Sequence, residues 1–136
     1  MTRCCRGVRG ATTVTENDAK AILAATRELL QTIIAVNDIE EKDVASILLT
    51  ATPDLDAVYP AVAARQLGWH HTALTCVQEM AVPGSLPRCI RVLVHWNTDR
   101  QMDQLHHVYL REAHRLRPDW SSVTCNLGPE PLQPGT

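Results

Sequence analysis

Arg88-Cys89-Ile90-Arg91-Val92-Leu93-Val94-His95 is a run of strand-forming residues with a cation in its middle. In an extended chain successive side chains point to opposite faces. Ile90, Val92 and Val94 therefore share one face, and Cys89, Arg91, Leu93 and His95 the other. A guanidinium among apolar strand residues is costly to bury unless an anion or strong acceptor meets it, and it does not shed its charge. Two readings follow. Either something anionic sits opposite Arg91, or the stretch is an edge strand whose Arg91 is solvated or paired with a carboxylate of the same chain.

Upstream of this strand, Pro83-Gly84-Ser85-Leu86-Pro87 has loop chemistry, and Thr72-Ala73-Leu74-Thr75-Cys76 reads as a short strand running into Val77-Gln78-Glu79-Met80. Tyr59-Pro60 through Leu67-Gly68 predicts a helix closed by a glycine, with Arg65 on it. Thr52-Pro53-Asp54-Leu55-Asp56 is turn chemistry. Before it, Val44–Thr50 is nearly continuously apolar, which predicts a central, buried strand. Ile22, Thr26, Leu29, Leu30, Ile33 and Val36 recur at helical spacing and end near Asn37-Asp38, defining the principal helix. Thr15-Glu16-Asn17-Asp18 resembles its capping box, with Thr15 as N-cap, and Glu40–Asp43 suggests a short helical turn.

At the N-terminal end, Arg6-Gly7-Val8-Arg9-Gly10-Ala11-Thr12-Thr13-Val14 predicts a first strand. Its two glycines would weaken an isolated strand, so they point to close approach by another element or a ligand. Arg9, between them, is either available to an anion or simply solvated. Downstream of the opening stretch, Thr98-Asp99-Arg100-Gln101 offers a cap for a short helix carrying Met102, Leu105 and His106. Val108-Tyr109-Leu110 fits either a fifth strand or a continuing helix. From Pro118 onward the chain holds Pro129, Pro131, Pro134, Gly128 and Gly135 with few apolar residues, so we expect one domain over residues 1–119 and a mobile tail over 120–136.

The 136 residues fit one core; 45% are hydrophobic, 21% charged, and the net charge is -2, a balance that favours neither nucleic acid nor an anionic membrane as partner. No apolar run is long enough to span a bilayer, and the first residues lack the apolar core of a signal peptide, so a cytoplasmic protein is expected. Five cysteines lack the spacing of a disulfide framework or a paired zinc site and read as free thiols. The adjacent pairs His70-His71 and His106-His107 diverge on a strand or a helix, so no metal site is expected.

Several blocks then add up to a pattern: Arg6-Gly7-Val8-Arg9-Gly10-Ala11-Thr12-Thr13, Ala51-Thr52-Pro53-Asp54-Leu55, Thr75-Cys76-Val77-Gln78-Glu79-Met80, Arg88-Cys89-Ile90-Arg91-Val92, and His107-Val108-Tyr109-Leu110 with Leu116-Arg117-Pro118. In this order, from about Arg6 to Asp119, they resemble the small monofunctional bacterial chorismate mutases of the trimeric pseudo-α/β-barrel type. The resemblance implies an α+β fold, a mixed five-stranded sheet packed against helices, assembled as a homotrimer with active sites at subunit interfaces. It implies rearrangement of chorismate to prephenate on the route to phenylalanine and tyrosine, without a cofactor. By the same resemblance Arg91 approaches the ether oxygen, Glu79 and Cys76 meet the ring hydroxyl, and Arg9 and Tyr109 line the carboxylate side. Thr75, Tyr59, Ala61, Leu116 and Arg117 match wall or entrance positions, and Arg65 a peripheral cation. Val62 stands where at least some relatives carry a lysine, a loss expected to weaken attraction of a dianion rather than abolish chemistry.

The substrate class explains such a site. A dianion calls for cations, and breaking a carbon–oxygen bond sends electron density to the ether oxygen, where a fixed guanidinium binds the transition state more strongly than the ground state. No nucleophile is required, which demotes Cys76 to a hydrogen-bonding wall residue. The competing readings are a Rid-type imine deaminase, which shares the trimeric architecture but not these blocks, and a non-catalytic trimer that binds a small dianion.

Overall fold

A computed structural model describes residues 3–117 of the chain; the expected tail over 120–136 and the end of the expected domain lie outside them. Five strands, β1 (Cys4–Thr13), β2 (Val44–Ala51), β3 (Ala73–Gln78), β4 (Cys89–Thr98) and β5 (Val108–Tyr109), form one sheet in the order β3-β2-β4-β1-β5. The β1/β4 and β2/β4 pairs are antiparallel, while β1/β5 and β2/β3 are parallel. The sheet is therefore mixed, as expected. β4 lies at its centre, which removes the edge-strand reading of Arg91.

Helix α1 (Ala19–Asn37) crosses one face. Its N-cap is Asp18, not Thr15: the Asp18 carboxylate accepts from the Ala21 amide at 3.1 Å. Asn17 is unavailable to the helix because its side chain accepts the Asp56 and Ala57 amides and donates to Asp56, tying the helix entry to the loop after β2. At the other end Asp38 adopts the left-handed conformation (φ 57) and its amide donates to Ile34 O. The buried Asn37 reaches across to the backbone of His106, fastening the helix end to the approach to β5.

The apolar stripe of α1 meets Val8, Ile47, Leu49, Val92, Val94 and Val108 from the sheet. Beside it, Ile22 and Ala25 pack with Val14, Leu55 and Ile90. Helix α2 (Ala61–Gln66) adds Ala61 and Ala64 to this side and ends at Gly68 (φ 92). Gly10 marks the tightest approach: a Cβ there would stand 2.7 Å from Ile33 Cδ1 and 3.0 Å from Val108 O. Of the close contacts expected at the two N-terminal glycines, this one is made by the principal helix and β5.

The opposite face of the sheet is largely open. β2 is interior to the sheet but buried on one side only, since Leu48 and Thr50 stay half-exposed there; its apolar run overstated its burial. A 3₁₀ segment, Arg111–Leu116, which the sequence patterning did not reveal, covers one end of this face, where Ala11, Cys89, Tyr109 and Ala113 pack together. β4 starts at Cys89 rather than Arg88, because Arg88 turns through φ 47 and its amide donates to Asp54 Oδ2. Thr98 closes β4 rather than capping a helix; the following 3₁₀ turn, Met102–Gln104, is capped by Gln101.

Candidate active site

Register places the expected site residues. On the open face Arg91 of β4 stands opposite Thr50 of β2 and Ala11 of β1, and Ala11 in turn stands opposite Tyr109 of β5. Two residues away, Arg9 stands opposite Leu93 on the same face. Alternation along β3 puts Thr75 and Val77 on this face, and the Glu79 amide continues the ladder by donating to Ala51 O at 2.9 Å. Glu79 thus follows Val77 back over the sheet. Its Oε2 lies 3.5 Å from Arg91 Nε and accepts the Thr50 hydroxyl at 2.5 Å. The anion that meets Arg91 within this chain is accordingly Glu79.

Arg9, Glu79, Arg91 and Tyr109 line one depression of about 140 Å³, floored by Leu48 and Leu93. Tyr109 is 4% exposed. Burial pushes its hydroxyl upward, and the charges of Arg9, Arg117 and Arg91 pull against that. Three guanidinium groups therefore act on one phenol. Next to them the Arg9 amide donates to His107 Nδ1 at 3.0 Å. His107 is held below the ordinary histidine value, first by burial and then by Arg9, Arg117 and His106. At the other margin burial pushes the Cys89 thiol up to about 11, against the lowering influence of Arg91. It stays protonated near neutrality and is no nucleophile there.

Not every residue implied by the resemblance joins this depression within one chain. Cys76 pairs with Leu49 and so faces the helix side; with the exposed Tyr59 and with Val77 it lines a separate groove of about 590 Å³. Thr75 is on the face of Arg91 but exposed on the edge strand. Ala61 is buried in the core, and Arg65 stands in a third depression with Trp69 and His70. Leu116 packs against the cluster of Ala11, Cys89, Tyr109 and Ala113, and Arg117 acts electrostatically on Tyr109 and His107. Thr50, Cys89 and His107 were not singled out for the site by sequence. His107 lies in a block that was noticed, whereas Thr50 joins through a cross-strand register that one sequence does not disclose.

The arrangement is a set of permanent cations around a buried phenol, with one carboxylate held against the central guanidinium. Such a set suits an anionic ligand and can stabilise negative charge that grows during a reaction. Among the described residues no cluster of histidine, cysteine, aspartate and glutamate could hold a metal ion, and no helix is long and apolar enough to cross a membrane.

Chorismate mutase AroH of Thermus thermophilus is 52% identical over 119 residues, covering 87% of this chain and 98% of that protein. Chorismate mutase AroH of Bacillus subtilis (strain 168) is 50% identical over 117 residues, 85% of this chain and 92% of that protein. The solved structure of a chorismate mutase from Clostridium thermocellum superposes with a TM-score of 0.78 at 51% identity, covering 79% of this chain and 96% of the other. The profile of the family described as chorismate mutase type I matches residues 5–120, and the chain belongs to that family.

Proposed function

We propose that the depression around Arg91 is where this isomerase converts chorismate to prephenate, a step toward the aromatic amino acids. The observation that carries the assignment is the Arg91–Glu79 pair on the open sheet face with Arg9 alongside. Arg91 serves as the electrostatic centre. Its guanidinium points hydrogen-bond donors at the ether oxygen as the carbon–oxygen bond breaks and the new carbon–carbon bond forms. Glu79 accepts from the ring hydroxyl. Arg9 and Tyr109, with Arg117, hold the carboxylates, and that hold keeps the enolpyruvyl arm folded over the ring in the reactive conformer. No proton transfer and no covalent intermediate enter the scheme.

The working assembly in this proposal is a homotrimer with its sites between subunits. Two features favour it. The open face leaves Leu48, Leu93 and Arg91 uncovered in a single chain, and the wall residues Tyr59 and Cys76 lie in a groove apart from Arg91, so a complete site takes one group from each of two protomers. We place the enzyme in the cytoplasm, where Cys4, Cys5, Cys76 and Cys89 stay as the free thiols found here.

The test is direct. Purified protein is incubated with chorismate, loss of its absorbance is followed, and prephenate is identified as product. Disappearance without prephenate, or no disappearance, refutes the assignment and leaves a deaminase or a non-catalytic binder as the reading. A sizing measurement that returns a monomer refutes the trimer.

A further inference from the structure

We infer that Thr50 is a positioning residue for the reaction, fixing the Glu79 carboxylate so that one oxygen serves Arg91 and the other is left for substrate. The inference rests on reading the Arg91 depression as the active site. It starts from the sheet register: Thr50 is the direct cross-strand neighbour of Arg91 on one side and of Val77 on the other. Glu79 lies two residues beyond Val77, so the three side chains Thr50, Glu79 and Arg91 converge on one patch of the open face. The Glu79 backbone is already held by its amide bond to Ala51 O. What remains free is the side chain, with its several torsions, and a long side chain held only by an ion pair 45% and 24% exposed at its two ends is poorly oriented.

Thr50 supplies the missing constraint. A β-branched side chain on a strand has few χ1 choices, so its hydroxyl is presented in a nearly fixed direction. That hydroxyl donates to Glu79 Oε2, the same oxygen that faces Arg91 Nε. Both contacts fall on Oε2. Oε1 therefore keeps its acceptor capacity for a ligand hydroxyl, and the Arg91 guanidinium, which meets Glu79 through Nε and also engages the Cys89 thiol, has further N–H donors for an oxygen of the ligand. Thr50 touches neither the ligand nor the reacting atoms in this scheme; it acts through Glu79.

Three substitutions and one cycle test this. Thr50→Val keeps the shape and strand preference and removes the donor; Thr50→Ser keeps the donor; Thr50→Ala guards against misfolding of the valine variant. The expected result is a loss of about tenfold in kcat/KM for Thr50→Val and Thr50→Ala, carried mainly by kcat, and recovery to within about threefold for Thr50→Ser, the scale set by a hydrogen bond to a charged group. In a Glu79→Ala background the further change from Thr50→Val should be below about twofold, because the residue through which Thr50 acts is gone. The same cycle read by calorimetry with a bicyclic dicarboxylate mimic of the transition state gives the answer without turnover. Wild-type behaviour of Thr50→Val, equal loss in Thr50→Ser, or independent losses in the cycle each overturn the role of Thr50 while leaving the assignment of the site intact. A wild-type protein that neither turns over chorismate nor binds the mimic overturns the site assignment itself, and this inference with it.

Discussion

Replacing Arg91 with alanine isolates the electrostatic claim. A unit charge and about half a charge developing on the ether oxygen, roughly 3 Å apart at an effective dielectric near 20, interact by about 3 kcal/mol. Arg91 is 45% exposed in the single chain, so screening pulls the figure down until substrate and neighbouring protein exclude water. Single preorganised donors in comparable sites account for about 3–4 kcal/mol. Together these give an expected fall of about 10²–10³ in kcat. Because the interaction strengthens in the transition state, kcat and kcat/KM should fall together. The fold should tolerate the change. The Arg91–Glu79 pair is partly solvated, its loss costs less than about 1 kcal/mol of stability, and Glu79 keeps Thr50. The assay is chorismate consumption with prephenate quantified by chromatography, beside a thermal melt and a sizing run on the same sample. A well-folded Arg91→Ala protein within about threefold of wild-type kcat refutes the reasoning, since Arg91 could then not be the centre of charge stabilisation at that oxygen.

Other perturbations probe other parts of the molecule. Glu79→Ala should lower kcat/KM at least about tenfold and leave the melting temperature nearly unchanged; a collapse of the melt would make Glu79 structural instead. Gly10→Ala forces a methyl group to 2.7 Å from Ile33 Cδ1 and 3.0 Å from a backbone oxygen of β5, so it should destabilise by about 1–3 kcal/mol, and an unchanged melt would contradict the close approach. His107 has a folded-state value below its unfolded one near 6.5, so the unfolded chain binds more protons as pH falls below about 6.5 and stability should drop there; His107→Asn should flatten that part of the melting profile. A thiol reagent at mildly alkaline pH should modify Cys4 and Cys5 while Cys89, buried and raised to about 11, reacts only after unfolding, as mass spectrometry of the labelled peptides would reveal.

Much of this fold was legible because its signals are local. The α1 stripe, the β4 alternation and the glycine that ends α2 each come from spacing within a few residues. The misreadings have a common cause: the deciding contacts are distant in sequence. The helix cap falls on Asp18 rather than Thr15, and the adjoining Asn17 is tied to a loop some forty positions later, a contact no local rule predicts. The apolar run of β2 implied a buried strand, but only one face meets a helix in this chain. The site divides in the same way. Arg91 announced itself as a charge in an apolar run, while Thr50 looked like one more strand residue until its register partner was known.

The position of β1 has a consequence for how the polypeptide acquires its shape. It is made first, yet it lies between β4 and β5, and its antiparallel partner is the run from Cys89 to Thr98. During synthesis on a ribosome, Cys4–Thr13 must therefore wait, its amides and carbonyls unmatched, until most of the chain has emerged. Such a long wait makes folding slow and exposes a sticky ribbon to other nascent chains. Arg6 and Arg9 put two like charges into that ribbon, a pattern that disfavours its pairing with copies of itself.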